Sequence, residues 1–199
     1  MDNKILNSDQ ENLLSKLENL NEYYLAGGTA IALQLSHRKS IDFDFFANKE
    51  VSLAEIKRIL VNCDIQNTII SNIDQYTAIV DQVKITFLNY PYLLNPSVNY
   101  KNILMPDLLT LASTKAFTIG RRPKWKDYVD LYFLIHKFGI KRIIERAEEV
   151  FQGMFNDKLF REQLLFFEDI DFTEEVDFIS DPISKDQIKK ELEAFALET

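Results

Sequence analysis

The sequence is poor in several residue types that mark particular protein classes. Its 199 residues include a single cysteine, Cys63, so neither a disulfide framework nor a cluster of thiolate metal ligands is expected. Only 5 glycines and 5 prolines occur, and no low-complexity tract is present, so little disorder is expected away from the chain ends. No apolar run approaches the ~20 residues that cross a bilayer, and the N-terminus lacks the layout of a signal peptide. These absences predict a soluble, cytoplasmic protein without a membrane partner.

The charge balance limits the partners that the chain can attract. A net charge of −8 argues against non-specific binding to the phosphates of a nucleic acid. Two basic patches, "HRK" at 37–39 and "RRPKWK" at 121–126, could still bind anions locally, although either could simply be a solvated loop. The acidic segment 168–177 is interpreted as a solvated loop, because it lacks the glycine turn of a calcium-binding loop.

Hydrophobic periodicity divides the chain into a mixed α/β part, predicted at 1–105, and a helical part, predicted at 106–199. The expected elements of the first part are a helix opened by a Ser8–Glu11 capping box, a strand ending at Gly27-Gly28, a short helix, a strand over "SIDFDFF", a helix opened by Ser52 with Glu55, and β segments between 64 and 90. The second part is expected to contain a helix from Pro106 to Ile119, a loop over "RRPKW", a helix over "KDYVDLYFLIHKF" closed by Gly139, and further helices.

Two aspartates lie in an apolar stretch, "SIDFDFF". Alternation along a strand would direct Asp42 and Asp44 to one face, with Ile41, Phe43 and Phe45 on the other. Two such carboxylates can clamp a divalent cation, and oxygen ligands suit Mg²⁺. The polar face of an edge strand would produce the same pattern.

A glycine pair precedes these aspartates at a predicted strand-to-helix junction. Without Cβ atoms, Gly27 and Gly28 would let phosphate oxygens approach the backbone N–H groups at the positive end of the helix. Thr29 would add a hydroxyl at the helix start. A tight turn with no ligand would also use two glycines, so the pair gains meaning only from the aspartates that follow.

The order of a hydrophobic residue, Gly-Gly, a thirteen-residue spacer and "DFDF" resembles the polymerase-β-like nucleotidyltransferase superfamily. With the later "KAF" and "KDYVDLYFL", residues 20–138 resemble the AbiEii/AbiGii toxin family of nucleotidyltransferases. The resemblance implies an α+β fold, in which a nucleotidyltransferase-type mixed sheet flanked by helices is followed by a helical region that completes the active-site cleft. It also implies Mg²⁺- or Mn²⁺-dependent transfer of NMP from an NTP to an acceptor, with tRNA as a candidate. The biological setting would be a toxin–antitoxin or phage-defence system, with an antitoxin encoded nearby.

The resemblance also assigns roles to individual residues. Asp42 and Asp44 would hold the metal and be catalytic, and the nucleotide would be bound by Gly27, Gly28, Thr29 and Lys115. Asp127 or Asp130 would act as base or orient the attacking hydroxyl. Contacts to phosphates or to the acceptor would come from Arg38, Arg121, Arg122 and Lys126. Considered without the resemblance, Lys115 could instead extend into solvent, and Asp127 could simply favour a helix N-terminus.

One position departs from the family pattern. Many nucleotidyltransferases carry a third carboxylate on a later strand, and the matching strand, "VKITFL", offers Thr86. Either Asp127 or Asp130 substitutes for it, or the activity is altered or lost. Two alternatives therefore stay open: a catalytically silent nucleotide-binding or regulatory module of the same fold, and a nucleotidyltransferase that modifies a small molecule. The sequence does not determine the NTP, the acceptor or the oligomeric state.

Overall fold

A computed structural model describes residues 5–121 and 124–198. The chain forms two compact units, of which the first extends to Asp107 and the second begins at Leu108. Among the described residues, no helix combines the length and the apolar character that a membrane span requires.

The first unit is built on a five-stranded mixed sheet. Its helices are α1 (Ser8–Lys16), α2 (Gly27–Leu35) and α3 (Leu53–Ile59), and its strands are β1 (Tyr24–Ala26), β2 (Phe43–Ala47), β3 (Ile65–Ser71), β4 (Gln75–Val80), β5 (Val83–Asn89), β6 (Val98–Tyr100) and β7 (Ile103–Met105). The sheet has the order β1-β2-β5-β4-β3, in which β2 and β5 run parallel and the other neighbours run antiparallel. The strands β6 and β7 form a separate hairpin.

Alternation along β2 separates an apolar face from a polar one, as predicted. Phe43 and Phe45 are fully buried, and the Phe45 ring stacks on Phe87 of β5 with centroids 5.4 Å apart. Asp44 lies on the opposite face and is only half-buried. The prediction was wrong for Ile41, which precedes the strand and is 65% exposed.

The predicted Ser8–Glu11 capping box is wrong by one residue. The Asn7 side chain accepts a hydrogen bond from the Gln10 backbone N–H (2.9 Å), and the Gln10 side chain accepts one from the Asn7 N–H (3.0 Å). Gln10 is buried and also donates to the Ser40 carbonyl at 2.8 Å. This contact with a distant loop makes Gln10 the residue that closes the box.

Two further details of the first unit differ from expectation. Ser52 is the N-cap residue of α3 but makes no side-chain capping bond in the structure, and the Glu55 carboxylate pairs with Lys49 at 2.7 Å. The β6–β7 hairpin was not predicted. Its turn residues, Lys101 and Asn102, both have positive φ (49° and 67°), as a type I′ turn requires, but they lack the Asn-Gly signature of such a turn.

The second unit is helical, as predicted. Its helices are α4 (Leu108–Thr118), α5 (Trp125–Phe138), α6 (Ile140–Phe151), α7 (Asp157–Leu165) and α8 (Lys185–Ala196), with a 3₁₀ turn at Ile119–Arg121. Helix α5 ends at Gly139 as expected, whereas α4 begins after Pro106 rather than at it. Trp125 belongs to α5 and not to the preceding loop, of which residues 122 and 123 lie outside the described residues.

Candidate functional site

The glycine pair brings two charged groups against the start of α2. Gly27 is the first residue of the helix and has a φ of +65°, and a Cβ atom placed there would lie 2.6 Å from Asp44 Oδ2. A Cβ atom on Gly28 would lie 2.7 Å from Arg38 Nη2. Glycine is therefore required at Gly27 by backbone conformation and by space, whereas a Cβ atom at Gly28 would displace the end of the Arg38 side chain. A carboxylate and a guanidinium thus lie beside the positive end of a helix.

The loop that joins α2 to β2, residues 36–42, is fixed by buried hydrogen bonds. The Thr29 hydroxyl donates to the Asp42 carbonyl and shares a 2.8 Å hydrogen bond with the Ser40 hydroxyl. Arg38, which is 4% exposed, donates to the Lys39 carbonyl at 2.9 Å. Thr29 itself is buried, so the structure shows its hydroxyl positioning Asp42. A direct contact between Thr29 and a nucleotide stays a prediction.

The two aspartates share one face of the sheet with residues of β5. Asp44 pairs with Thr86 in the parallel register, and Phe43 pairs with Ile85. Asp42, one residue before Phe43, is correspondingly near Lys84, whose Nζ lies 3.6 Å from Asp42 Oδ2. Because side chains alternate along strands, Asp44, Lys84 and Thr86 project from the same face. Asp42 precedes β2, and its contact with Lys84 places its carboxylate on that face as well.

A chain of neutral polar groups continues across this face from Asp44. Thr86 is 9% exposed, and its hydroxyl lies 3.2 Å from that of Thr77 on β4, which accepts a 2.8 Å hydrogen bond from the Gln75 amide. The strand register therefore places threonine where the family resemblance expects a third carboxylate. Within the described parts of the chain, no group of three His, Cys, Asp or Glu residues is arranged to hold a metal ion.

The residues present nevertheless fit a magnesium or manganese ion. Mg²⁺ keeps several of its waters in proteins and is commonly bound by one or two carboxylates together with the phosphates of the substrate. Asp42 and Asp44 supply these two carboxylates, and the Gly27 contact places Asp44 beside a helix N-terminus suited to phosphate. The ion pair with Lys84 partly neutralises Asp42, so Lys84 would compete with a cation there.

The second unit contains a buried ionic cluster on α4 and α5. The Lys115 ammonium is bonded to Asp127 and lies 3.0 Å from Asp130 Oδ2. Lys115 is 5% exposed, and both aspartates are fully buried. The alternative in which Lys115 extends into solvent is therefore wrong. Asp127 does lie in the first turn of α5, where an acidic residue is favoured, but it is also buried and paired with Lys115. The structure thus brings together Lys115, Asp127 and Asp130, the predicted catalytic residues of this part of the chain.

The basic loop is only partly available to ligands. The Arg121 guanidinium lies over the Phe117 ring, 4.1 Å from its centroid. The ammonium groups of Lys124 and Lys126 both contact the carboxylate of Glu174. The interpretation of the acidic segment as a purely solvated loop is therefore wrong at Glu174. The predicted phosphate contact at Arg122 lies outside the described residues.

Two residues near the candidate site were missed by the sequence reasoning. Lys84 lies two positions before Thr86, so the alternation of β5 already places both on one face and could have indicated it. Glu174 carried no such signal, because it contacts a lysine fifty residues earlier in the chain.

Comparison with known proteins agrees with this geometry. A family model described as the nucleotidyl transferase AbiEii toxin of a type IV toxin–antitoxin system matches residues 11–69, which include the glycine pair and both aspartates. A protein of Aquifex aeolicus (strain VF5), the uncharacterised aq_aa25, is 30% identical over 173 residues, which cover 82% of this chain and 84% of that protein. The chain belongs to the AbiEii nucleotidyltransferase family. The resemblance seen in the sequence is thereby confirmed.

Solved structures place this AbiEii-family protein in the nucleotidyltransferase fold. A crystal structure from H. pylori, assigned as a nucleotidyltransferase, has a TM-score of 0.59 at 17% identity and covers 98% of this chain and 94% of its own. JHP933 from Helicobacter pylori has a TM-score of 0.57 at 18% identity, with 98% and 91% covered. The predicted α+β fold, with its mixed sheet and C-terminal helices, is confirmed.

Proposed function

We propose that this AbiEii-family protein is a metal-dependent enzyme that transfers a nucleoside monophosphate from an NTP to an acceptor. The observation that carries the proposal is the contact between the Asp44 carboxylate and Gly27 at the start of α2. It unites a carboxylate suited to a metal with a backbone turn suited to phosphate, within the residues that the family model matches.

In this proposal the residues of the first unit bind and orient the triphosphate. The backbone at Gly27 and Gly28 admits phosphate oxygens to the helix N-terminus, and the Arg38 guanidinium beside Gly28 adds positive charge. Asp42 and Asp44 would hold Mg²⁺ or Mn²⁺. A bound ion of this kind would neutralise the charge that develops on the phosphate. Preorganised charge of this kind is the main means of accelerating phosphoryl-type transfer.

For the second unit we propose the roles that the family implies. Lys115 would contact the triphosphate, and Asp127 or Asp130 would act as base or orient the attacking hydroxyl. The Lys115 ammonium is already paired with both aspartates, so a phosphate would compete with these ion pairs. Because the cluster is buried, activities of its variants should be compared well below the melting temperature of each variant.

The biological setting is also part of the proposal. Family membership supports a toxin that acts with an antitoxin, in a toxin–antitoxin or phage-defence system. A tRNA is the acceptor that we propose to test first, because the exposed Arg121 and the two lysines of the basic loop suit a polyanionic ligand.

The direct test is incorporation of label from each of the four α-labelled NTPs, with Mg²⁺ or Mn²⁺, into total tRNA and into a panel of small-molecule acceptors. Asp42→Asn and Asp44→Asn should each reduce incorporation by about 100-fold or more, as expected when a charge-stabilising group is lost. Asp74→Asn, which removes an exposed aspartate of the same unit, is the matched control and should retain activity. Label on a small molecule but not on RNA would favour the small-molecule enzyme.

A second candidate, a silent nucleotide-binding module, is favoured by one observation. The place next to Asp44 is filled by Thr86 and its neutral hydrogen-bond partners rather than by a carboxylate. This candidate predicts that an NTP raises the melting temperature, since ligand binding stabilises the folded state, while no label reaches any acceptor. Absence of both stabilisation and transfer would exclude both candidates.

A further inference from the structure

Residues 167–178 ("FEDIDFTEEVDF"), here named the acidic strap, place a carboxylate between two lysines of the basic loop. Glu174 Oε1 contacts the Lys124 ammonium and its Oε2 contacts the Lys126 ammonium. Hydrogen bonds from Lys124, which has the larger effect, and from Lys126 lower the pKa of Glu174 to about 2. The carboxylate is therefore fully ionised at neutral pH.

The strap is held at this place by backbone contacts. Lys124 and Asp171 form a parallel β-bridge, in which the Trp125 N–H donates to the Asp171 carbonyl at 3.1 Å. The Asp171 side chain accepts hydrogen bonds from the backbone N–H (2.9 Å) and hydroxyl (2.6 Å) of Thr173, which fix the turn toward Glu174. The backbone that leads into Glu174 is thus fixed.

An aromatic anchor completes the attachment. The Phe172 ring packs on Trp125 with centroids 5.2 Å apart. The ammonium groups of Lys185 and Lys189 lie 4.8 Å and 5.0 Å from the centre of the Phe172 ring, on its α8 side. Phe167 and Phe178, at the two ends of the strap, also contact Tyr128 and Phe133 of α5. A segment with six acidic residues is therefore docked through aromatic side chains, with Glu174 paired to the two lysines.

The groups that the strap covers are those of an anion site. Lys124 is the N-cap residue of α5, a 14-residue helix, and its side chain does not cap the helix in the structure. Lys124 and Lys126 therefore belong to the first turn of α5, where the helix dipole favours an anion. A carboxylate that bridges two ammonium groups at a helix start occupies the place that a phosphate group would take. Glu174 and both lysines remain partly exposed, so a ligand can reach them.

We propose that the acidic strap is an autoinhibitory cover over a phosphate-binding site formed by Lys124 and Lys126, and that a polyanionic acceptor such as RNA displaces Glu174 from it. The assignment of RNA as the ligand rests on the proposed function; the competition between Glu174 and a phosphate group does not.

The test is binding of a fluorescein-labelled 20-nucleotide RNA, followed by anisotropy between 50 and 200 mM NaCl without NTP or metal. Glu174→Gln should bind the RNA about tenfold more tightly at 50 mM salt, and the gain should be nearly lost by 200 mM. Freeing two lysines for single-stranded phosphates should steepen the slope of log K against log salt by about 1.4. Glu175→Gln, which removes an equal charge from an exposed neighbour, is the matched control and should show a much smaller gain.

A second comparison separates uncovering of the lysines from a general loss of negative charge. In the Glu174→Gln background, replacing Lys124 and Lys126 with alanine should abolish the gain, whereas the same replacements in the parent should have little effect. Phe172→Ala, which removes the aromatic anchor, should reproduce part of the gain. Equal gains for Glu174→Gln and Glu175→Gln, or a gain that survives without the two lysines, would overturn the proposal.

The ligand class is tested in the same assay. Poly-glutamate that binds Glu174→Gln as tightly as the RNA would overturn the assignment to phosphate, and competition by submillimolar ATP would assign the lysines to the nucleotide instead of the acceptor. Label transfer from NTP is measured separately. Label transfer without a gain in RNA binding by Glu174→Gln would refute the autoinhibitory strap and support the proposed transferase activity. A gain in RNA binding without label transfer would support the strap and contradict the transferase activity.

Discussion

Replacement of Gly27 by alanine tests the geometry on which the candidate site depends. Gly27 has a φ of +65°, and the new Cβ atom would lie 2.6 Å from Asp44 Oδ2, 3.3 Å from its Cβ and 3.4 Å from its Cγ. Rotation of the carboxylate alone cannot relieve all three contacts. Asp44 also pairs with Ala26 and Thr86 on the two neighbouring strands, so its backbone has little freedom to retreat.

The expected cost has two parts. A left-handed conformation costs an alanine about 1 kcal/mol relative to glycine, and overpacking against Asp44 adds roughly 1–3 kcal/mol. The total is about 3 kcal/mol. For a chain of this size, 1 kcal/mol corresponds to about 2–4 °C, so the melting temperature should fall by about 6–12 °C. The shift in melting temperature caused by NTP with Mg²⁺ should also disappear, because Asp44 is displaced.

Gly28→Ala is the matched control, since this position lies in the same turn without a positive φ. Its Cβ atom would press only on the end of the Arg38 side chain, since the next neighbour, Ser40 Oγ, lies at an ordinary contact distance of 3.7 Å. Alanine is also favoured over glycine in a helix. Its melting temperature should therefore stay within about 4 °C of the parent, while the NTP-induced shift is reduced. Differential scanning fluorimetry measures both quantities. If Gly27→Ala melts like the parent, or if Gly28→Ala is the less stable variant, the described turn is incorrect.

Three further predictions concern other parts of the chain. Lys115→Met should lower the free energy of unfolding by about 3–5 kcal/mol in urea titrations, because it leaves two buried aspartates without their ammonium partner; a loss under 1 kcal/mol would contradict the buried cluster. In the same assay, Asn7→Ala should lower the free energy of unfolding by about 1 kcal/mol and Ser8→Ala by under 0.5 kcal/mol, because Asn7 is the N-cap residue. A larger loss for Ser8→Ala than for Asn7→Ala would favour the Ser8–Glu11 capping box predicted from the sequence. Burial raises the pKa of the Cys63 thiol to about 11, so alkylation of Cys63 by iodoacetamide should be slow at pH 8. The alkylation rate should then rise about tenfold per pH unit up to about pH 11, and a plateau of the rate near pH 9 would refute the raised pKa.

The parts of the fold that the sequence predicted are those set by local periodicity. Alternating apolar residues identified β2 and β5, because a strand with one buried face has an apolar residue at every second position. The glycine pair identified the start of α2, because a Cβ atom there would collide with neighbouring side chains. The candidate carboxylates could be named for the same reason. A capping box is equally local, but Asn7 with Gln10 fits its pattern just as Ser8 with Glu11 does, so the local sequence leaves two registers open. In the register that the structure shows, Gln10 also makes a tertiary bond to Ser40.

The parts that could not be predicted depend on contacts between distant segments. Nothing near Glu174 indicates that its partners are Lys124 and Lys126, since the pairing exists only once residue 171 forms a bridge beside Trp125. The burial of Lys115 has the same origin. A lysine on an apolar helix face is compatible with either solvent or an ion pair, and the aspartates of α5 select the ion pair.

The threonine beside Asp44 limits the chemistry that the proposed transfer can use. Thr86 and Thr77 are neutral at any physiological pH, and both are engaged in one hydrogen-bonded chain with Gln75. None of these three side chains can accept a proton from an attacking hydroxyl, as a third carboxylate in place of Thr86 would. In the proposed transfer, the attacking hydroxyl would therefore need a base other than these three side chains, or the acceptor oxygen would have to be ionised already. An acceptor phosphate would meet the second condition, since its oxygens are ionised at neutral pH.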